Sequence, residues 1–312
     1  MSKKKTISIT TTCYNESGNI TEWYERCLAV MKKFPEYDYE FVVADNKSTD
    51  STRNELRKIA ARDSRFRVIL NSNNFTVVRS AHNAFLQAKG SAVICMVSDL
   101  QDPPELIGEF IRHWQDGAKV ICGIKEQSEE NKLVYLGRSC FYKLLSLCSD
   151  APLLRHFTGF GLYDRQFVEA ARKFNDPYPY FRGLVSEIGL RRVEIPFKQA
   201  RRKRGKTTST LFFLYDIAMT GFVNHTKLPL RLAAFTGFLL AALSLFVALG
   251  YLVYKLLHWD TFSMGMAPVV VGLFFFASVQ LIFIGIIGEY VGAIWTQVKN
   301  KPLVIEEERI NF

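Results

Sequence analysis

The sequence predicts an α/β fold, in which a mostly parallel sheet covered by helices on both faces carries interfacial helices and a two-helix transmembrane hairpin. Three observations lead there. Short β-branched and apolar runs alternate with helix-like runs across residues 7–97. The apolar run 92–96 ends in Val97-Ser98-Asp99-Leu100-Gln101-Asp102-Pro103-Pro104-Glu105, as expected of a buried strand whose C-terminal end carries a ligand site. Two uncharged runs, 232–254 and 261–288, are each long enough to cross a hydrocarbon layer of ~30 Å at ~1.5 Å per residue.

Each element follows from its pattern. Residues 7–12 are β-rich and lead into a turn at Asn15-Glu16-Ser17, and 20–34 has an amphipathic period that stops at Pro35. A second apolar strand is expected at 39–44, a charged helix at 51–63 and a third strand at Phe66–Asn71. A helix over 77–90 is closed by Gly90, and 92–97 is the fourth strand. Pro103 and Pro104 then start a helix at Glu105, and 120–124 suits a further strand. Residues 133–147 form an amphipathic helix that fits a membrane surface or a protein core equally well. Residues 211–223, just before the first uncharged run, favour the membrane surface. The expected divisions are a domain over 1–210, a juxtamembrane helix over 211–230, two transmembrane helices over 231–298 and a tail over 299–312.

Charge sets the surroundings. The chain has 40 Lys and Arg against 30 Asp and Glu, net +10, which suits anionic partners. Hydropathy selects a lipid membrane and phosphorylated substrates over nucleic acid. Lys227 and Arg231 precede the first run, Lys299 and Lys301 follow the second, and residues 256–263 contain neither Lys nor Arg. The positive-inside rule therefore puts both ends of the hairpin in the cytoplasm, making a multi-pass protein of the inner membrane with Trp259 and Trp295 at its interfaces. Residues 1–5 are basic without an apolar signal segment, so the large domain is expected in the cytoplasm. The six cysteines lack metal-ligand spacing and read as buried thiols.

The chemistry concentrates at strand ends. Asp99, Gln101 and Asp102 supply hard oxygen ligands suited to Mg²⁺ or Mn²⁺. Their stretch resembles the metal-binding strand end of family 2 glycosyltransferases, where Asp-Ala-Asp-Leu-Gln-Asp-Pro-Pro-Glu is a common form; here Val97 takes the place of the first acid. The resemblance implies a GT-A-type, Rossmann-like domain, metal ligation by Asp99 and Gln101, and catalytic roles for Asp99 and Asp102. Thr12-Cys13-Tyr14-Asn15-Glu16 is similar to the family's Pro-x-Tyr-Asn-Glu, which implies that Thr12, Tyr14 and Glu16 face the nucleoside. Asp45-Asn46-Lys47-Ser48-Thr49-Asp50 stands against Asp-Asp-Gly-Ser-Thr-Asp, implying Asp45 near the base and Lys47 within reach of a phosphate. Asn73-Asn74-Phe75 with Arg79 stands against Arg-Asn-Phe-Gly-Lys, adding Asn74 and Arg79 to the donor side.

The second half narrows the resemblance. Thr158-Gly159-Phe160-Gly161-Leu162-Tyr163-Asp164-Arg165, then Tyr180-Phe181-Arg182-Gly183, then the basic run 198–206, and Lys227-Leu228-Pro229-Leu230-Arg231 occur in the order seen in the polyprenyl-phosphate hexosyltransferase branch. Arginine forks neutralise phosphate oxygens bidentately, so Arg201, Arg202 and Arg204, with Arg138, are the candidate clamp for an acceptor phosphate. The expected reaction moves a hexose, glucose foremost, from a UDP-linked donor to undecaprenyl phosphate. The branch also implies a homo-oligomer, with a tetramer as one form. Two alternatives stand beside it. A processive polysaccharide synthase is disfavoured by the lack of a Gln-x-x-Arg-Trp motif and by only two spans. A catalytically silent nucleotide-sugar-binding scaffold draws its support from Val97, Asn46 and Thr12.

Overall fold

The computed structural model describes residues 4–126, 154, 156–174, 176, 178–200, 228–257 and 266–312. The first three strand–helix units are β1 (Thr6–Cys13), α1 (Ile20–Met31), β2 (Asp38–Asp45), α2 (Thr52–Arg62), β3 (Phe66–Asn71) and α3 (Thr76–Gln87). They are followed by β4 (Ala92–Cys95), a 3-10 turn (Pro104–Leu106), α4 (Ile107–Gln115) and β5 (Val120–Lys125). Next come β6 (Phe157–Asp164), α5 (Arg165–Arg172), α6 (Phe181–Ile188) and β7 (Arg192–Phe197). The chain ends with α7 (Leu228–Leu257), α8 (Met266–Val298) and β8 (Glu306–Ile310).

The expected alternation is present, with ends moved by a few residues. The helix expected to Phe34 stops at Met31, and the fourth strand stops at Cys95 rather than Val97. The two prolines start a 3-10 turn, so α-helix begins at Ile107 instead of Glu105. Pro104 is buried there, and the Leu106 N–H donates to the Pro103 carbonyl at 3.2 Å, the three-residue spacing of the tighter turn.

The strands form one sheet in the order β7-β5-β6-β4-β1-β2-β3-β8. β3, β2, β1 and β4 are mutually parallel; β6 and β8 run against β4 and β3. Alternate residues of β2 enter different cores. Phe41 and Val43 pack with Trp23, Phe66 and Phe110 on the α1, α2 and α4 side. Val42 and Ala44 pack with Phe85, Tyr163 and Phe167 on the α3, α5 and α6 side. Covering both faces is why these strands read as continuous apolar runs. In the Thr158-Gly159-Phe160-Gly161 motif, Gly161 is imposed by packing, because a Cβ there would overlap the Ile121 carbonyl of β5.

β8 is an element that the sequence pattern did not predict. Its five residues, Glu306 to Ile310, are mostly charged, a composition suited to an exposed sheet edge. It pairs with β3 through Leu70↔Glu308 and Val68↔Ile310. The Ser72 N–H reaches the Ile305 carbonyl at 2.9 Å, and Asn311 caps the carbonyls of Ala60 and Phe66.

α7 and α8 differ from every sheet helix. Their windows Pro229–Val247 and Gly272–Val298 are long and apolar enough to cross a membrane, and 6% and 0% of those residues are buried. A core helix of a soluble protein would be mostly buried, so that alternative does not fit. Phe238, Phe246 and Leu281 stand bare. Residues 133–147 and 211–223, expected as interfacial helices, lie outside the described residues, as do Arg138, Arg201, Arg202, Arg204, Lys227 and Trp259.

Candidate active site

The chain runs outward from β1 to β2 and β3, then returns to β4 on the other side of β1. The crevice at such a reversal, outside the C-terminal ends of the strands, is where open α/β sheets bind ligands. In-register pairing brings the ends together: Cys13 lies beside Asp45, and Thr10 beside Cys95. Ser98 Oγ donates to the Thr12 carbonyl at 3.1 Å, tying the loop after β4 across the crevice.

The loops after β1 and β2 are locked together by reciprocal bonds. Asn15 takes φ +57°, a left-handed conformation that asparagine tolerates. Its Oδ1 accepts from Thr49 N at 2.8 Å and Asp50 N at 3.3 Å, while its own N–H donates to Ser48 Oγ at 2.9 Å. Glu16 N donates to Thr52 Oγ1 at 2.9 Å, and the buried Glu16 carboxylate accepts from Asn19 Nδ2 at 2.6 Å. Burial works against ionisation of Asp50, but bonds from Thr52 and Ser17 outweigh it and hold its carboxyl below the usual range. Tyr14 is half-buried beside this knot.

The departures at Thr12 and Asn46 have structural partners. Thr12 Oγ1 donates to the Ala44 carbonyl at 3.0 Å and shares a 2.8 Å bond with Ser80 Oγ, which also accepts from Asn71 Nδ2 at 3.0 Å. Asn46 Nδ2 donates to Asn74 Oδ1 at 2.7 Å, while its Oδ1 accepts from Phe75 N at 2.9 Å. The amide donates and accepts at once; an ionised carboxylate there would offer acceptors alone.

Asp45 is fully buried. It accepts from Ser48 N at 3.2 Å and from Arg53 Nε at 2.6 Å. Arg53 extends to the Asn71 carbonyl at 2.7 Å and to Glu307 Oε2 at 3.0 Å. Lys47 meets the same Glu307 oxygen at 3.1 Å. Arg79 Nη2 donates to the Pro302 carbonyl at 2.7 Å and stacks on Phe75. The structure thus places both cations expected on the donor side, Lys47 and Arg79, against the C-terminal segment. Sequence reading missed Asn15, Arg53 and Glu307 as organisers. Arg53 left a signal: a cation in the first turn of a helix opposes the macrodipole unless a carboxylate holds it.

The loop after β4 is built differently. Asp99 is half-buried, and its Oδ1 accepts from Gln101 N at 3.1 Å. Leu100 between them takes φ +63°, costly for a branched residue and sustained here by burial of its side chain. Asp102 is buried and accepts from Val97 N at 3.1 Å. Burial pushes its carboxyl up to about 6, with the Val97 N–H and Lys125 opposing and Asp99 adding to the rise. Val97 itself is exposed. Among the described residues, no group of three or more His, Cys, Asp or Glu is arranged to hold a metal. Asp99 and Gln101 are a partial donor set. It fits a Mg²⁺-like ion that takes one carboxylate from protein and the rest of its shell from substrate phosphates and water.

Residues 8–172, from β1 to the last turn of α5 and including every strand end just described, match the family model for Glycosyl transferase family 2. The chain belongs to glycosyl transferase family 2. This family 2 glycosyltransferase is 30% identical to the uncharacterized glycosyltransferase YkcC of Bacillus subtilis (strain 168), over 99% of this chain and 95% of that one. It is 27% identical to the SfII prophage-derived bactoprenol glucosyl transferase of Shigella flexneri, over 96% of each. The solved mannosyltransferase PcManGT from Pyrobaculum calidifontis, in complex with GDP-Man and Mn2+, superposes with a TM-score of 0.48 at 15% identity, covering 96% of this chain and 88% of that one.

Proposed function

We propose that this glycosyltransferase moves glucose from UDP-glucose to undecaprenyl phosphate at the cytoplasmic face of the membrane. The observation that carries the reading is the likeness to bactoprenol glucosyl transferases, which runs through both the sheet domain and the exposed helices rather than through the family 2 domain alone. The physical arrangement supports it. A lipid acceptor needs a sheet-end site held near a bilayer, and β8 follows α8 after a short connection and docks on the site's own sheet.

The acceptor phosphate is already anionic at neutral pH, so its attacking oxygen needs no strong general base. That oxygen would attack the anomeric carbon in line, the bond from that carbon to the diphosphate oxygen would break, and UDP would leave, inverting the configuration. The locked loops after β1 and β2 would hold the nucleoside, with Tyr14 offering an aromatic surface and Asp45 and Glu16 fixed beside it. Asp99 and Gln101 would hold Mg²⁺ or Mn²⁺, which when bound supplies positive charge to the leaving diphosphate. Arg138, Arg201, Arg202 and Arg204 remain the proposed clamp for the acceptor phosphate. Thr12 and Asn46, two of the three supports of the silent-scaffold alternative, have side-chain partners in Ser80 and Asn74 and so fit the fold; turnover decides between the readings.

The test is transfer by the full chain in neutral detergent, with undecaprenyl phosphate and labelled UDP-glucose, UDP-galactose, UDP-N-acetylglucosamine and GDP-mannose. Lipid-linked label from UDP-glucose above the others is expected. Binding of UDP-glucose without transfer would establish the scaffold instead.

A further inference from the structure

We propose that Glu307, on the C-terminal strand, is a positioning residue for the nucleotide-sugar site, acting through Arg53 and Lys47 on the loop from Asp45 to Asp50. The inference rests on the reading above that this loop holds the donor.

The guanidinium of Arg53 has one acceptor on each of three neighbouring strands. Nε meets Asp45 at the end of β2, Nη2 meets the Asn71 carbonyl at the end of β3, and Nη1 meets Glu307 on β8. A planar fork held on three sides has one available orientation, and that orientation fixes the buried Asp45 carboxylate. The same Glu307 oxygen holds Lys47, two residues further along the loop. Lys47 sits at φ +66°, where a side chain with a Cβ is strained and glycine is at ease. Its ion pair opposes relaxation of that backbone. Both cations hold the Glu307 carboxyl below its usual range.

The neighbouring Glu308 supplies an internal comparison. It forms a two-pronged pair with Arg57, at 2.6 and 2.5 Å, one helical turn beyond Arg53. Arg57 has no hydrogen bond or ion pair to the 45–50 loop. Two adjacent glutamates on one strand therefore make similar ion pairs with α2, and only one is wired to the site. β8 lies eight residues beyond the end of α8, so this wiring also links the membrane-proximal segment to the donor loop.

The experiment compares wild type, Glu307→Gln, Glu307→Asp and Glu308→Gln in detergent. It measures transfer from UDP-glucose to undecaprenyl phosphate, UDP binding by calorimetry, and thermal unfolding. Glu307→Gln should raise the donor KM and the UDP Kd about fivefold, with kcat and acceptor KM within about twofold, as expected for loss of a partly exposed charge pair. Glu307→Asp should recover part of the loss, and Glu308→Gln should leave donor KM and UDP affinity at the wild-type value. Coincident Glu307→Gln and Glu308→Gln results would overturn the inference. So would a Glu307→Gln defect spread equally over kcat and both KM values with a lowered melting temperature, which a purely structural role predicts. A wild-type protein that binds UDP but does not transfer would defeat the proposed function, while UDP affinities of the variants would still decide this inference. A wild-type protein that does not bind UDP would defeat both.

Discussion

Asp45 ends β2 and Asp99 lies beyond the end of β4, the two strands that flank β1, and the fold treats them oppositely. Asp45 is fully buried and matched by a guanidinium and a backbone N–H. Asp99 is half-buried and closes a turn onto Gln101 N at 3.1 Å. Burying a carboxylate is tolerable only when its charge and lone pairs are satisfied, so Asp45 belongs to the framework. Asp99, only half-buried, is the acid of the two that solvent or a ligand can reach. Two acids that look equivalent as residues in a strand-end motif thus differ in how deeply the fold buries them.

That contrast can be broken at several points. The largest effect is expected at Asp99. Asp99→Ala should lower turnover by about a hundredfold or more, as loss of charge stabilisation at a leaving group does, while the melting temperature shifts little. Near-wild-type transfer by well-folded Asp99→Ala protein would remove the assignment. Asp102→Asn should be milder, since its carboxyl is turned inward to Val97 N.

Asp45 should show the reverse balance. Asp45→Ala strands Arg53 with two of its three acceptors and frees Ser48 N, and unfolding measured by tryptophan fluorescence should show a loss of about 2 kcal/mol. An Asp45→Ala protein of undiminished stability would mean that this carboxylate is no framework element.

The smallest effect sharpens the comparison at the loop itself. Lys47→Gly relieves the left-handed strain but adds unfolded-chain entropy and removes the pair with Glu307, so a net gain of about 0.5 kcal/mol is expected. A clear loss in the same unfolding assay would show that the ion pair outweighs the strain, strengthening the role assigned to Glu307.

Much of the site could be read from the chain because its signals are local. The stretch Ser98 to Glu105 carries its acids, amide and prolines within one loop, and strand–helix alternation follows from hydrophobic period alone. Other features were hidden for a physical reason. Thr12 reads as a missing proline until Ser80, 68 residues away, is seen to share its hydroxyl. Asn46 reads as a lost carboxylate until Asn74 and Phe75 supply its donor and acceptor partners. β8 has neither alternation of apolar residues nor β-branched enrichment before its final Ile310, because its outer edge faces solvent and its glutamates meet arginines and an asparagine rather than a core.

By itself the sequence determined the class of the sheet, the two apolar helices, the metal-suited loop after β4 and the resemblance to family 2 enzymes. These depend on periodicity, composition and residue order within short windows. Tertiary structure alone decided that β8 returns to β3, that Lys47 and Arg79 face the C-terminal segment, and that Asp45 is sealed against Arg53 while Asp99 stays half-buried. Arg53 and Glu307 are 254 residues apart, and a contact across that separation has no local signature. It exists because an antiparallel edge strand brings a carboxylate to a guanidinium already aimed by two other strands.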